Sequence, residues 1–207
     1  MTISVQSLLR VMCASLIWVA AAARPSAAAE PFWIYKDQGF SGNHYSPDGW
    51  MGDHADLSMD TEYKIPALDQ PNSYEGNTVI RFAYQPGSKQ PDGEGWIGVY
   101  FLHPAGNWGD KHEGLNLSGY TRLTFYIKGE RGGELINSFR VGGVSKKFAD
   151  STTLEIKKVP LTRQWQKIII PLAGHDLSHI MGGFAWTATA EDNPQGASFL
   201  LDEIRLE

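Results

Sequence analysis

The feature that most restricts the fold is a series of short apolar segments, each of which ends in a turn. In residues 78–85 and 122–128, hydrophobic and polar side chains alternate with a period of two, which is typical of β-strands. Clusters of glycine, proline, asparagine and aspartate follow roughly every 8–12 residues, the spacing expected of a β-sandwich or barrel. No stretch sustains a helical period, and only residues 172–181 have room for a helical turn. We therefore predict an all-β domain of about nine short strands.

The closure of these strands is predicted as a jelly-roll β-sandwich of two sheets. One long segment does not fit the strand pattern. Residues 39–49 contain Gly39, Gly42, Pro47 and Gly49, and this composition predicts an irregular loop that delivers Trp50 to the domain.

The first 29 residues are set apart from the domain by their composition. Arg10 precedes an almost wholly apolar run over residues 11–23, and three small residues stand at 27–29. These three parts are those of a secretory signal peptide. We predict that residues 1–29 are removed, that residues 30–207 form one domain, and that the product is secreted or periplasmic. Cys13, the only cysteine, lies in the removed segment, so the mature chain would hold no disulfide.

The charge of the predicted mature chain excludes some classes of partner. Residues 30–207 carry 16 basic and 23 acidic side chains, a formal charge of −7, because Arg10 and Arg24 leave with the signal. An acidic surface repels phosphate backbones, so we expect no nucleic-acid partner. No basic amphipathic segment and no second long apolar run is present, so we expect no membrane insertion.

The most informative segment is residues 95–110, with the sequence GWIGVYFLHPAGNWGD. It reads as a strand with Trp96 and Tyr100 on one face, followed by a loop that carries Asn107, Trp108 and Asp110. Both strand faces are apolar, so one covers the core and the other meets something else. Aromatic rings flanked by an amide and a carboxylate suit a sugar, whose C–H face packs on a ring while its hydroxyls form hydrogen bonds. The alternative is that Trp96 and Tyr100 are core residues.

Two other classes of function remain open at this point. Glu94, Asp110 and Glu113 flank the aromatic strand, and a glycan hydrolase or lyase needs two carboxylates that face one sugar. Their spacing matches no catalytic motif. The third possibility is a structural domain whose free face meets another protein.

The last strand contains a carboxylate in an apolar setting. Alternation over residues 199–206 predicts that Asp202 shares a face with Leu200, Ile204 and Leu206. A buried carboxylate must meet a metal, a cation or several N–H donors. Calcium fits best, because carboxylate and carbonyl oxygens of irregular loops can coordinate it. The N-terminal segment offers further acidic candidates, which are Asp37, Asp48, Asp53, Asp56 and Asp60.

Several segments together resemble a known group of domains. ASFLLDEIRLE, WQKIIIPL and LSGYTRLTFYIKGERGGE look like strands of the galactose-binding-like jelly rolls of carbohydrate-binding modules. The set GWMGD, GWIGVYFLHPAGNWGD, FRVGG and LSHIMGGFAW is more specific. It is similar to secreted bacterial proteins that consist of a signal peptide and one such domain.

The resemblance implies a function and a set of residues. Modules of this kind usually hold a structural calcium between the first and last strands, which implies Asp202 with Asp37 as a partner. They bind sugars through aromatic side chains, which implies Trp96, Tyr100, Trp108, Trp50 and Trp186. They normally target an enzyme, so a separate partner enzyme is a further expectation. The leading prediction is thus non-catalytic binding of a polysaccharide or oligosaccharide by a secreted β-sandwich.

Overall fold

A computed structural model describes residues 30–65, 76 and 78–207. Eleven strands and one turn of 3-10 helix, His54–Asp56, are found in these residues. The strands are β1 (Phe32–Tyr35), β2 (Ser46–Gly52), β3 (Leu57–Tyr63), β4 (Val79–Tyr84), β5 (Trp96–Leu102), β6 (Arg122–Gly129), β7 (Leu135–Gly142), β8 (Thr153–Pro160), β9 (Gln166–Pro171), β10 (Gly182–Thr189) and β11 (Ala197–Leu206).

The strands form two antiparallel sheets that pack face to face. Sheet A has the order β3-β4-β11-β6-β9, and β1 pairs with the end of β11. Sheet B has the order β2-β5-β10-β7-β8. Neighbours in each sheet are mostly distant in sequence, as in a jelly roll. The predicted all-β jelly-roll sandwich is therefore confirmed.

Aromatic rings fill the space between the sheets. Trp186 of β10 is fully buried, and its ring lies edge-on to Phe82 and Phe199 of sheet A, with centroids 4.8 Å from each. Such contacts join the two sheets and dominate the energy of the core. The expectation that Trp186 binds sugar is wrong, because its ring is sealed inside the sandwich.

One local prediction is also wrong. Part of the predicted loop at 39–49 belongs to β2, which pairs with β5 and places Gly49 opposite Tyr100. A Cβ at Gly49 would lie 2.6 Å from the Cβ of Tyr100, so this glycine permits close strand contact and does not mark a turn. Residues 172–181 contain turns and bends but no helix.

A β-bulge in β11 changes the position of Asp202. Glu203 has a φ of 49°, and the pairing of β11 with β6 shifts between Asp202 and Arg205. Leu201 and Ile204 both belong to the core, so the alternation reverses across the bulge. Asp202 lies opposite Tyr126 on the outer side of sheet A and does not share a face with Ile204, contrary to the expectation from period two.

Residues 1–29, the predicted signal peptide, lie outside the part of the chain that the structure describes. In the described part, no helix has the length and apolar character needed to cross a membrane.

Candidate functional site

The outer surface of sheet B, hereafter face B, combines a floor of small residues with rings at both ends. Ile97 and Val99 of β5 point into the core, so Trp96, Gly98 and Tyr100 point outward. The pairing of β10 and β7 with β5 completes the floor. The floor residues are Gly98, Ser138, Ala185 and Thr187; Thr187 is half-buried, the other three are buried, and the side chain of Met51 lies over Gly98.

At one end of face B, the ring of Trp108 covers Tyr100. The two rings lie edge to face with centroids 5.6 Å apart, and Met51 and Phe148 pack beside them. Tyr100 is only 4% exposed, and its hydroxyl donates to the carbonyl of Gly142 at 3.1 Å. Tyr100 is therefore a support for Trp108. Trp108 and Phe148 are both half-buried, so solvent can reach these two rings at this end.

Asn107 shapes the loop that carries Trp108. Its Nδ2 donates to the carbonyls of His103 and His112, and its Oδ1 accepts from the backbone N–H groups of Gly109 and Lys111. The side chain is fully buried and its hydrogen bonds are made within the loop. The expectation that Asn107 contacts a sugar is wrong for this reason.

Asp110, by contrast, lies on the surface of the same loop. Its carboxylate is 3.5 Å from the ammonium of Lys146, and both side chains are more than half exposed. The carboxylate can therefore meet a ligand at the Trp108 end of face B.

Arg140 is a part of face B that the sequence reasoning missed. Its guanidinium donates to Glu155 at 3.0 Å and lies 3.5 Å from the Tyr100 hydroxyl. About a third of the side chain is exposed. The signal was present in the sequence, because Phe139 and Val141 point inward and an intervening residue must point outward.

Trp96 stands at the other end of face B. Its ring is half-buried, and its Nε1 donates to Glu94 Oε2 at 2.7 Å. Thr189 lies opposite Trp96, and its hydroxyl donates to Asp192, which also pairs with Lys158. Polar groups thus border the floor at this end.

Trp50 does not belong to face B. It lies opposite Val99 in the pairing of β2 with β5, so its side chain leaves sheet B on the core side. Because β2 is an edge strand, the ring is nevertheless 38% exposed. The structure therefore separates Trp50 from the rings of Trp96 and Trp108.

Asp202 is a buried carboxylate with an unmet hydrogen-bonding need. It is 2% exposed, and its Oδ2 has no hydrogen-bond partner. Burial, together with the charges of Glu203 and Asp37, raises the pKa of Asp202 to about 8. Asp37 is also buried, and its Oδ1 accepts from the backbone N–H and the hydroxyl of Thr78. A divalent cation would suit this pair of carboxylates, because it would supply the positive charge that could balance Asp202.

The carboxylates of the other acidic candidates lie beside other parts of the chain. Asp53 accepts from the N–H groups of Glu94 and Gly95, and Asp56 accepts from three N–H groups of residues 87–90. Asp60 accepts from the N–H of Glu62, and Asp48 lies beside the loop at Gly106. Among the described residues, no three His, Cys, Asp or Glu side chains are grouped as a metal site. Backbone or solvent oxygens would have to complete any site at Asp37 and Asp202.

The three candidate catalytic carboxylates are distributed over both ends of β5. Glu94 precedes the strand, and Asp110 and Glu113 follow it. A strand of this length spans about 20 Å, whereas hydrolytic carboxylate pairs stand about 5–10 Å apart. Glu113 instead lies 3.4 Å from His179. Glu94 therefore does not face either of the others across one sugar.

Residues 37–205 match the family described as carbohydrate binding domain 30. No curated protein matches the chain significantly.

Solved carbohydrate-binding modules share the fold at low sequence identity. A family 30 module is 19% identical, with a TM-score of 0.55 over 86% of this chain and 87% of that one. The family 30 module of the cellulosomal cellulase Cel9D-Cel44B of Clostridium thermocellum is 16% identical, with a TM-score of 0.53 over 86% and 97%. A family 11 module from Clostridium thermocellum, in complex with a β-1,3-1,4-mixed-linked tetrasaccharide, is 14% identical, with a TM-score of 0.56 over 87% and 96%.

The family match spans most of the chain and supports carbohydrate binding, and the fold agrees with that of the family 30 modules. The chain belongs to the carbohydrate binding domain 30 family.

Proposed function

We propose that the protein binds a glycan chain on face B, without catalysis, through the rings of Trp96 and Trp108. The observation that carries this proposal is the pair of accessible indoles at opposite ends of a floor of small side chains. Trp96 and Tyr100 are four residues apart on β5, a separation of about 13 Å along the strand. Trp108 lies over Tyr100, so the two platforms are separated by several pyranose units.

The floor explains how a polymer would fit between the platforms. Gly98 has no side chain, and the Cε of Met51 covers it, 2.7 Å from the place of a Cβ. Ser138 and Thr187 share a hydrogen bond of 2.9 Å between their hydroxyls, so their polar atoms are already paired. Between the rings a glycan would therefore rest on the half-buried Met51 and Thr187, and it would gain most of its binding energy at the two rings.

Charged groups at the border of face B would orient the sugar hydroxyls. Arg140 and Glu155 lie near the Trp108 end, and Asp110 is exposed in the loop that carries Trp108. A shallow site leaves one side of the glycan hydrated, so we expect weak affinity for short oligosaccharides and stronger apparent binding to polymers.

The test is binding to a panel of plant and bacterial polysaccharides, including mixed-linked β-glucan, by affinity electrophoresis and calorimetry. Trp96→Ala and Trp108→Ala should each weaken binding by about tenfold. Trp50→Ala is the matched control, since it removes an exposed indole from the other side of the same sheet, and it should leave affinity unchanged.

Two results would contradict the proposal. No retardation by any glycan would remove the function. Equal losses in all three tryptophan variants would show that the rings do not act through face B. Product release from the same panel, lost in Glu94→Gln or Asp110→Asn, would establish a hydrolase or lyase in its place.

We also propose a structural calcium ion held by Asp202 and Asp37. The unpartnered, buried Oδ2 of Asp202 supports it. Bound calcium would neutralise the two carboxylates and tie the end of β1 to β11. It would lie on sheet A and take no part in contacting the glycan.

The location and the partner are proposed from the sequence. Removal of residues 1–29 would deliver the domain to the periplasm or the medium, where a separate glycan-active enzyme would be its partner. N-terminal sequencing of the protein recovered outside the cytoplasm would test the first point. A mature chain that still begins at Met1 would contradict it.

A further inference from the structure

The turn that leads into Trp96 is held by a buried carboxylate. Asp53 is 5% exposed, and its two oxygens accept from the backbone N–H groups of Glu94 and Gly95 at 2.9 and 2.7 Å. The N–H of Asp53 in turn donates to the carbonyl of Trp96 at 2.8 Å. Three hydrogen bonds therefore fix residues 94–96 against the end of β2.

Two glycines allow this contact to form. A Cβ at Gly93 would lie 2.4 Å from the Asp53 carboxylate carbon, and a Cβ at Gly52 would lie 2.2 Å from the Trp96 carbonyl oxygen. Gly52 also has a φ of 61°, which favours glycine. Larger residues would push the turn away from β2, so the local sequence suits a fixed turn at this place.

The Glu94 side chain then reaches from this fixed turn to the Trp96 ring. Its Oε2 accepts from the indole Nε1 at 2.7 Å, the short distance of a charge-assisted hydrogen bond. The ring is only half-buried, so packing alone leaves it freedom to rotate. The Glu94 carboxylate accepts the hydrogen bond of the indole N–H and thereby favours one orientation of the ring.

We infer that Glu94 is a positioning residue for glycan binding, which acts by holding the ring of Trp96 in its stacking orientation. This inference rests on the proposed glycan-binding function of face B. Glu94 was a catalytic candidate in the sequence, and the structure assigns its carboxylate to the indole.

Two physical effects make the hydrogen bond useful to a ligand. Fixing the ring before binding removes the entropy cost of ordering it in the complex. A carboxylate on the N–H also increases the electron density of the indole, and the sugar C–H groups bind to the negative face of the ring. Both effects act through Trp96, so Glu94 need not touch the glycan.

The experiment compares Glu94→Ala, Glu94→Gln and the matched control Asp92→Ala, which removes an exposed carboxylate from the same loop. Each is studied with and without Trp96→Ala. The readouts are the indole N–H resonance of Trp96 by NMR, glycan affinity by calorimetry, and the melting temperature.

Glu94→Ala should move the Trp96 indole resonance upfield and weaken glycan binding about three- to tenfold, with the melting temperature unchanged. Glu94→Gln keeps an acceptor and should retain most of the affinity, and Asp92→Ala should change nothing. In the absence of the Trp96 ring, Glu94→Ala should have no further effect on affinity.

The outcomes separate this inference from the proposed function. If the wild-type protein binds no glycan, the proposed function fails, while the NMR signal still reports on the hydrogen bond. If the wild type binds and Glu94→Ala binds equally well, the positioning role is overturned. A loss that persists without the Trp96 ring would also overturn it, because Glu94 would then act on the glycan directly.

Discussion

The outer surfaces of the two sheets differ in the contacts that their side chains make. On sheet A, ion pairs cross between strands and to the chain end, with distances of 2.8 Å for Arg81–Glu130 and 2.7 Å for Arg122–Glu207. The half-buried ring there, Trp33, has Lys36 and Arg205 within 5.0 and 5.2 Å of its centroid. On face B, the rings of Trp96 and Trp108 flank small residues. The outer surface of sheet A thus presents cross-strand ion pairs, a ring beside two cations and the exposed Ile169, whereas face B presents two half-buried indoles around small side chains.

The comparison shows why a count of tryptophans says little about recognition. An indole binds a ligand only where its own domain does not already cover it. Trp186 is covered by the opposite sheet and Trp33 by cations. Trp96 and Trp108 are held at their edges, by Glu94 and by Tyr100, and each ring is half-buried, so part of it is accessible to solvent.

The largest expected effect is a loss of stability when an interior ring is removed, compared with the removal of a ring of face B. Trp186→Ala should lower the free energy of unfolding by about 3–5 kcal/mol, because it leaves a large cavity between Phe82 and Phe199. Trp108→Ala should cost much less stability and far more glycan affinity. Chemical denaturation and calorimetry on both variants would measure the contrast.

Trp186→Phe is the second variant in case the alanine variant does not fold. It keeps an aromatic ring in the core and should bind glycan with wild-type affinity. A selective loss of affinity in folded Trp186→Phe would contradict the separation between core and face B.

A second prediction concerns the buried carboxylate on the outer side of sheet A. The pKa of Asp202 is about 8 in the fold and about 3.8 in the unfolded chain, so the folded state binds more protons between these values. Without calcium, stability should therefore fall as pH rises from about 4 to 8, by at most about 1.4 kcal/mol per pH unit. Melting curves in excess EDTA from pH 4 to 8 would measure this.

Calcium should reverse this loss, and more strongly at pH 8 than at pH 5, because a bound cation favours the ionised carboxylate. Asp202→Asn is the control. It carries no charge to bury, so it should melt higher than the wild type in EDTA at pH 8 and should not respond to calcium. Equal melting of wild type at pH 8 with and without calcium would remove the metal proposal.

Much of the fold could be predicted from the sequence because strand alternation is a local signal. Residues 78–85 and 122–128 alternate cleanly, and both form strands of sheet A. β2 was missed because Pro47 and Gly49 resemble a turn, although Gly49 is needed for contact with Tyr100 in another strand. The bulge at Glu203 was missed because a positive φ at a glutamate leaves no mark in the sequence.

The site could be predicted only in part for the same reason. The segment 95–110 was rightly singled out as a strand and a loop, and it forms β5 and the loop that carries Trp108. The conformation of the loop decides which of its polar groups face solvent. The side chain of Asn107 makes four hydrogen bonds inside the loop. The contacts of Trp50 and Trp186 depend on strand pairing between distant segments, which one sequence does not reveal.

A third prediction compares one arginine from each outer surface. Arg140→Ala should weaken glycan binding by about tenfold, because its guanidinium lies at the Trp108 end of face B. Arg81→Ala breaks an ion pair of similar exposure on sheet A and should alter affinity by less than twofold. Calorimetry on the two variants, with melting temperatures as a control for folding, tests this. Equal losses would mean that the two surfaces do not differ in function.

The smallest expected effect concerns Asp110 at the border of face B. Its ion pair with Lys146 is long and well exposed, so Asp110→Asn should change the free energy of unfolding by less than about 0.5 kcal/mol. The amide keeps one acceptor, so glycan binding should weaken only about two- to threefold if the carboxylate meets a sugar hydroxyl. Lys146→Ala breaks the same ion pair and leaves the carboxylate in place, and it should retain full affinity. An equal loss in Lys146→Ala would show that the ion pair acts by shaping the Trp108 loop, and the border of face B would then end at Arg140.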